Sequence, residues 1–276
     1  MRGVSGSSRS TFGRIREALR TNEVLVFAES IVTVIVVWMV IAHGLNLVDS
    51  ISSPELILAK VVELITSGLF FTHLVDTMRR TLFGFAIGVI IATPLGIAIG
   101  LSDFLKTAFK DYVTVGLALP DLLVVVFVAM LFGIGDLTPA GAAVVLAIPY
   151  MMQTLIEGVD DIDTDLLEMG ASFDASRRRL LRRVVVPSLL PEWFGGVRYS
   201  LAISWKAVTL AEVVAAETGV GFMIRKQMDT LSLTGAFAWT VLFIVILLVI
   251  EYGVLRQLER LAFSWREEVS DVVVAP

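Results

Sequence analysis

Few residues in this chain could carry out catalysis, and their types restrict its chemistry. Cysteine is absent, so thiol catalysis, disulfide bonds and cysteine-based metal sites are excluded. The only two histidines, His43 and His73, are too few for a histidine-rich metal site. They are also too far apart in sequence to form the HExxH motif of a metalloprotease, and we assign both to a membrane boundary. No GxxxxGK pattern occurs, so the chain lacks the loop with which P-loop ATPases bind nucleotide phosphates. We expect no catalytic residue, no metal site and no cofactor on this chain.

Three ionisable residues, Arg198, Lys206 and Glu212, lie inside an apolar segment that runs from Leu189 to Val214. A charged side chain in a membrane is costly and usually faces protein or a water-filled cavity. Lys206 is the deepest of the three, and we predict that it faces a translocation path and favours an anionic or polar substrate. Pairing with an internal acid and snorkelling to the interface are the alternatives.

Glu212 lies near the end of the same apolar segment, and two roles are open for it. It could contact a substrate, or it could hold the loop 213–224 that follows. Gly219 and Gly221 are expected to shape this loop rather than to bind a ligand.

The composition indicates a membrane protein. The 276 residues have a mean hydropathy of +0.83, and only 18% are charged, against roughly 25% in soluble domains. Such a balance excludes an ordinary soluble enzyme, a disordered chain and a nucleic-acid-binding protein. The apolar residues form six blocks that we predict to be membrane helices. These blocks cover about 24–41, 77–101, 112–132, 140–155, 189–214 and 236–254.

Lysine and arginine distribution predicts the orientation. With both termini in the cytoplasm, 15 of these residues lie in inner segments and 5 in outer segments, which favours the N-in, C-in arrangement. Arg79 and Arg80 fall on the unexpected, outer side. Residues 1–22 would be a cytoplasmic N-terminal segment, and 23–276 a single transmembrane domain with a cytoplasmic hairpin at about 158–188.

Two local patterns predict how helices begin and pack. Ser53-Pro54-Glu55 has the order of an N-cap, a first-turn proline and an acid, and should open an amphipathic helix through Leu64 outside the hydrocarbon core. Small residues recur on one face of the second block and predict close helix packing. These small residues are Gly84, Gly88, Gly96 and Gly100.

The longest polar interruption, 157–188, is acidic in its first half and arginine-rich in its second. Thr164 could cap a first short helix, and Asp174 or Ser176 a second one over 177–186 that Pro187 ends. The arginines would then point to water or to a partner. One interpretation is a solvated loop whose arginines serve topology and lipid headgroups; the other is a docking hairpin, because ordering such a loop costs entropy unless something binds it.

This segment resembles the cytoplasmic signature of permease subunits of binding-protein-dependent ABC importers. That signature reads Glu-Ala-Ala, three residues, Gly, nine residues, Ile, one residue, Leu-Pro. Here Glu168-Met169-Gly170 takes the first position, Asp174 the Gly position and Val184-Val185-Val186-Pro187 the end, without a gap. Asp in place of Gly is a departure, but Asp also tolerates φ > 0 and caps helices, so we expect the hairpin to be kept.

Further motifs are similar to one branch of this family, which includes sulfonate, taurine, nitrate and bicarbonate permeases and permeases for thiamine precursors and riboflavin. Their order and spacing extend over most of the chain. The motifs are Ser52-Ser53-Pro54, Thr81-Leu82-Phe83-Gly84-Phe85, Pro94-Leu95-Gly96, Phe132-Gly133-Ile134-Gly135, Ala211-Glu212 and Thr218-Gly219-Val220-Gly221-Phe222.

The resemblance implies an all-α, polytopic membrane protein with six transmembrane helices and the type I ABC importer permease fold, in the inner membrane of a prokaryote. It implies two ATPase subunits that carry ATP and Mg, a second permease copy forming a homodimer, and an external substrate-binding protein. ATP binding would close the ATPase pair, draw the hairpins together and switch access across the membrane.

The resemblance also implies which residues dock the ATPase. Leu166 and Leu167 would be an apolar plug, and Glu168 either a polar contact with the ATPase or a brace within the hairpin. The predicted docking residues are Leu166, Leu167, Glu168, Met169, Gly170, Ala171, Asp174, Ala175 and Ser176.

The main alternative function is an ion-gradient-driven secondary transporter, which would need several intramembrane acids and usually a repeat. An intramembrane protease and a passive scaffold are further alternatives. None of these would have a stoichiometric ATPase partner.

Overall fold

The computed structural model describes residues 23–44, 52–163 and 176–250, together with positions 165, 168, 169, 172 and 253. Every regular element within these residues is helical, which confirms the all-α prediction. Backbone contacts divide the chain into two compact units, Met1–Lys60 and Val61–Pro276.

The first unit contains α1 (Glu23–Gly44) and the start of α2 (Pro54–Thr66). The Ser53 carbonyl accepts hydrogen bonds from the N–H groups of Leu56 and Ile57 at 3.1 and 3.2 Å, so α2 begins where the sequence predicts. The Glu55 carboxylate pairs with His43 Nε2 at 3.1 Å. The second unit contains the remaining helices.

Seven helices follow α2 among the described residues. They are α3 (Leu69–Gly100), α4 (Asp103–Ala118), α5 (Asp121–Phe132), α6 (Leu137–Asp160), α7 (Arg177–Ala215), α8 (Val220–Asp229) and α9 (Leu233–Leu248). Within the described ranges, α3 and α6 are each long and apolar enough to span a membrane, and the bent pairs α4–α5 and α7–α8 bring the number to four. The count of six spans stays a prediction.

The third predicted span, 112–132, is wrong as a continuous helix. The chain bends by 98° between α4 and α5. Pro120 has no backbone N–H, and it disfavours the helical conformation of the residue before it. Leu119 accordingly has φ −66° and ψ 132°, an extended conformation that ends α4.

The prediction that Pro187 ends a helix is also wrong. α7 continues through Pro187 to Ala215 and contains a π-helical segment, Leu181–Val185, just before the proline. The wider π turn changes the hydrogen-bond register where the proline N–H is missing, and α7 therefore continues without that donor.

Small residues let α3 and α6 approach closely, as the glycine strip predicts. A Cβ atom added to Gly84 would lie 2.6 Å from the Ala143 Cβ. The full series pairs Gly84 with Ala143, Gly88 with Ala147, Gly96 with Leu155 and Gly100 with Val159. The residue numbers increase in the same direction along both helices, so α3 and α6 run parallel. The α4–α5 pair must therefore carry the chain back from the end of α3 to the start of α6, as one broken span would.

α7 packs antiparallel to α6. Gly158 lies against Leu189 and Glu192 near the start of α7, whereas Gly196 lies against Met151 further along. Many apolar side chains of the bundle remain on its outer surface, including Ile90, Phe104 and Met130, which are 71%, 79% and 77% exposed. An apolar surface of this extent fits a lipid environment better than water.

We predict that Gly84→Val destabilises the bundle by about 1–3 kcal/mol, because the added side chain must displace α6. Gly195→Val is the matched control, since no atom lies within 4 Å of a Cβ atom placed at Gly195. Thermal unfolding in detergent measures both variants. Equal unfolding midpoints for the two variants would contradict the close approach of α3 and α6.

Candidate functional site

A buried ion pair joins α3 to α7. Arg80 is 4% exposed and Glu212 is fully buried, and the Arg80 Nη1 donates to Glu212 Oε1 at 2.7 Å. The Thr77 hydroxyl donates to Glu212 Oε2 at 2.9 Å, and the Gly221 N–H donates to the same oxygen at 3.0 Å. The carboxylate is therefore saturated by a cation and two neutral donors, which offsets the cost of its burial.

Arg80 also holds the two loops that flank this end of the bundle. Its Nη1 donates to the Thr218 carbonyl and its Nη2 to the Thr218 hydroxyl, each at 2.7 Å. Its Nε donates to Asp136 Oδ1 at 3.0 Å, and Arg79 Nη2 donates to Asp136 Oδ2 at 2.5 Å. These hydrogen bonds from Arg80 hold the pKa of Asp136 below its usual range. We refer to Thr77, Arg80, Asp136, Glu212 and Thr218 as the ion-pair cluster.

The backbone of the loop after α7 is fixed to α3 by two side chains. The Val220 N–H donates to the Thr77 hydroxyl at 2.9 Å, and the Gly219 N–H donates to His73 Nδ1 at 3.1 Å. The bond to Nδ1 places the imidazole proton on Nε2. The His73 ring packs edge-on against Trp239, with ring centroids 5.6 Å apart.

Gly219 and Gly221 shape this loop, as predicted. Gly219 has φ +108°, a conformation that side chains rarely adopt, and a Cβ atom there would collide with the Glu212 carboxylate. A Cβ atom on Gly221 would lie 2.8 Å from the Glu212 Cβ. Both positions are restricted because the backbone passes directly over the buried acid.

Arg225 caps the end of α7. Its Nη1 donates to the carbonyls of Val213 and Val214 at 3.0 and 3.2 Å, and its Nη2 to the carbonyl of Ala216 at 2.7 Å. A cation at a helix C-terminus satisfies carbonyls that have no intrahelical partner. Arg225 therefore belongs to the fold rather than to a solvent-exposed charged loop.

Lys206 lies apart from the ion-pair cluster. Its side chain is exposed, although its neighbours Trp205 and Ala207 are buried. It takes part in none of the ion pairs formed among the described residues. Tyr199 is exposed seven residues earlier on the same face of α7, and its ring packs against Tyr150 with centroids 5.1 Å apart.

The predicted docking hairpin is described only in part. Glu168, Met169 and Ser176 are exposed, and the Ser172 hydroxyl donates to the Glu168 carbonyl at 2.9 Å. The Ser176 carbonyl accepts from Arg179 and Leu180, which begins α7 where a cap was predicted. The predicted docking residues outside the described residues are Leu166, Leu167, Gly170, Ala171, Asp174 and Ala175.

Both ends of this hairpin are anchored to the bundle. Ile162 near its start and Val185 and Leu189 near its end form one buried apolar cluster, against which Ile97 of α3 packs. On the surface beside this cluster, Lys106 of α4 pairs with Asp160. The residues at both ends of the predicted hairpin therefore form a fixed base.

Sequence reasoning identified Glu212 but missed its partners. The sequence alone assigns no role to Thr77, Arg80 or Asp136, although Arg79 and Arg80 stand out as cations on the unexpected side. An intramembrane acid and a misplaced arginine in one sequence were the signal that could have paired them. The structure brings Glu212 and Arg80 together and leaves Lys206 at the surface.

The helical architecture and the partly described hairpin agree with one class of protein, the permease subunits of ABC transporters. Residues 84–262 match the family model described as binding-protein-dependent transport system inner membrane component, and the chain belongs to this family. It is thus an ABC importer permease rather than an ion-gradient-driven carrier.

Several curated relatives are transport permeases. The chain is 30% identical to the taurine transport system permease protein of Escherichia coli, over 71% of each chain. It is 27% identical to the putative aliphatic sulfonates transport permease protein of Bacillus subtilis, over 84% of each chain. It is 31% identical to the riboflavin transport system permease protein of Chloroflexus aurantiacus, over 77% of this chain and 79% of that one.

A solved structure supports the fold. The MetNI methionine ABC transporter in an inward-facing conformation has a chain that matches with a TM-score of 0.62 at 18% identity, covering 71% of this chain and 96% of that chain. The matched part of this protein thus has the fold of a type I ABC importer permease.

We predict that Arg80→Met or Glu212→Met lowers the free energy of unfolding by about 3–5 kcal/mol, because each leaves a buried partner unpaired. Glu217→Met, at an exposed position of the same loop, should change it little. The double variant should be less destabilised than the sum of the two single variants. Unfolding in detergent measures all four proteins, and additive effects would show that the two residues do not interact.

Proposed function

We propose that this protein imports a small organic anion of the sulfonate class across the inner membrane of a prokaryote. Two copies would form the pore, an external binding protein would deliver the solute, and two separate ATPase subunits would supply energy from ATP and Mg. Two of the relatives named above are permeases for taurine and for aliphatic sulfonates, which supports this substrate class.

The observation that carries the proposal is the hairpin between α6 and α7. Its base is fixed by Ile162, Val185 and Leu189, and two of its described residues, Glu168 and Met169, are exposed. Met169 is an apolar side chain, 54% exposed, at the position where the family signature lies. An exposed apolar residue in a segment with a fixed base suits a docking contact that must transmit force to α7.

In the proposed mechanism, ATP binding closes the ATPase pair and brings the two hairpins together. Because each hairpin continues into α7, the movement reaches the helix that carries Lys206. Access then changes from one face of the membrane to the other.

The proposal places both termini in the cytoplasm. Arg80 and Arg225 lie on the proposed outer side, but Arg80 pairs with Glu212 and Arg225 binds the carbonyls at the end of α7. These two arginines therefore count little as evidence against an orientation based on the positive-inside rule.

We predict that Leu167→Asp prevents the ATPase from copurifying with this protein, because a carboxylate would replace the proposed apolar plug. Leu231→Asp is the control, since Leu231 is an apolar residue that is 88% exposed in the loop between α8 and α9. Affinity purification from native membranes followed by mass spectrometry gives the ratio of the two subunits. Retention of the ATPase by Leu167→Asp would remove the hairpin from the docking contact.

Lys206 is proposed to line the pore and to attract the anion. Its ammonium group and the exposed Tyr199 occupy one face of α7, and a cation at a polar, accessible position lowers the energy of an anion passing it. Glu212, the other candidate, is enclosed by the ion-pair cluster, which favours a structural role over substrate contact.

We predict that Lys206→Met reduces uptake at least about tenfold, equivalent to 1.4 kcal/mol or more at the barrier, with the ATPase still bound. Lys226→Met, an exposed lysine on α8, is the control and should transport normally. Uptake of radiolabelled taurine into proteoliposomes containing the complete transporter measures the effect. Normal uptake by Lys206→Met would exclude Lys206 from the pore.

A further inference from the structure

A basic cavity of about 320 Å³ lies at the beginning of α7. Its lining residues are Ser176, Arg178, Arg179, Arg182 and Arg183. Among the residues that the structure describes, no acidic side chain lines the cavity, and the four arginines take part in none of the ion pairs. Four like charges around one cavity repel each other, so an anion in the cavity would be favoured.

The chemistry of the lining indicates a phosphate group. Guanidinium groups are planar, stay charged and donate pairs of parallel hydrogen bonds to phosphate oxygens. Arg178 and Arg182, like Arg179 and Arg183, are four residues apart and lie on adjoining turns. Several guanidinium groups can therefore reach one anion from the same side.

The surface next to the cavity is apolar. Val186 and Leu190 follow Arg182 at successive intervals of four residues, and they are 42% and 45% exposed. Along this face of α7 the side chains thus change from cations to hydrocarbon over about 12 Å, at 1.5 Å per residue. A free phosphate ion would contact only the arginines. A phospholipid would contact the arginines with its headgroup and the apolar surface with its acyl chains.

We propose that this cavity binds the phosphate headgroup of an anionic phospholipid, whose acyl chains lie along Val186 and Leu190. The site is separate from the ion-pair cluster and from Lys206. Its position at the start of α7, immediately after the docking hairpin, means that the bound lipid would fix the point from which α7 enters the membrane. The proposal requires neither a particular substrate nor a particular ATPase contact.

The test uses the purified full chain in neutral detergent, titrated with phosphatidylglycerol while the thermal unfolding midpoint is followed. We expect phosphatidylglycerol to raise the midpoint and phosphatidylcholine to have little effect. Arg182→Gln should weaken the apparent affinity about fivefold, and Arg182→Gln/Arg183→Gln about 25-fold, since each cation near a lipid surface contributes about 1 kcal/mol.

Arg177→Gln is the matched control, because Arg177 is an exposed arginine of the same segment that does not line the cavity. It should bind phosphatidylglycerol as the wild type does. Arg182→Lys should bind more tightly than Arg182→Gln but less tightly than the wild type, because it keeps the charge and loses the paired hydrogen bonds. Equal lipid affinity in Arg177→Gln and in the double variant would overturn the proposal.

Two further measurements identify the source of the phosphate. Inorganic phosphate should neither reproduce the stabilisation nor displace the lipid, and Leu190→Ser should weaken lipid binding. If inorganic phosphate competes and Leu190→Ser has no effect, the site binds free phosphate and the lipid assignment is wrong. If the double variant keeps its lipid affinity but loses the copurifying ATPase, the arginines form a protein contact and the proposal fails.

Discussion

The buried pair of Arg80 and Glu212 is the interaction on which this end of the structure depends. Glu212 has no access to solvent, so its charge requires a cation and further donors to remain in place. Arg80 on α3 provides the cation, and Thr77 one helical turn earlier provides a donor. Two helices that are remote in sequence are thereby fixed in register.

The same pair determines the conformation of the loops. Arg80 donates hydrogen bonds to Thr218 in the loop after α7 and to Asp136 in the loop before α6. One guanidinium group therefore holds both loops. Gly219 must pass over the carboxylate with a positive φ, which excludes a side chain there. The short run of glycines in this loop is thus a consequence of the buried acid.

The sequence predicted the helical class, the family, the start of α2 and the glycine contacts of α3, because each of these depends on local patterns or spacing. It did not predict the break at Pro120, since hydropathy alone treats the block 112–132 as continuous and takes no account of its one proline. It predicted a helix end at Pro187, because the proline rule assumes a regular α-helix. The π segment Leu181–Val185 is a detail of backbone register that composition does not record.

The ion-pair cluster could be predicted only in part. The prediction of membrane orientation counts lysines and arginines on each side of the membrane and treats all of them as solvent-exposed. Arg80 and Arg225 do not satisfy that assumption, because both are bonded within the fold. The position of Glu212 inside an apolar block indicates that it needs a partner, but the choice of Arg80 follows from the parallel packing of α3 and α6 and from the path of α7. Such long-range pairing has no local signal in a single sequence.

α7 connects the parts of the molecule that transport must coordinate. Its first part includes Val185 at the base of the hairpin, its middle carries Lys206 on the surface, and its end reaches the ion-pair cluster at Glu212. A rigid helix would pass any movement of the hairpin base directly to the cluster. α7 departs from a regular hydrogen-bond ladder at the π segment, at Pro187 and at Pro191, and all three lie in its first half. Bending would therefore occur close to the hairpin, while the part of α7 from Lys206 to Glu212 moves as one body.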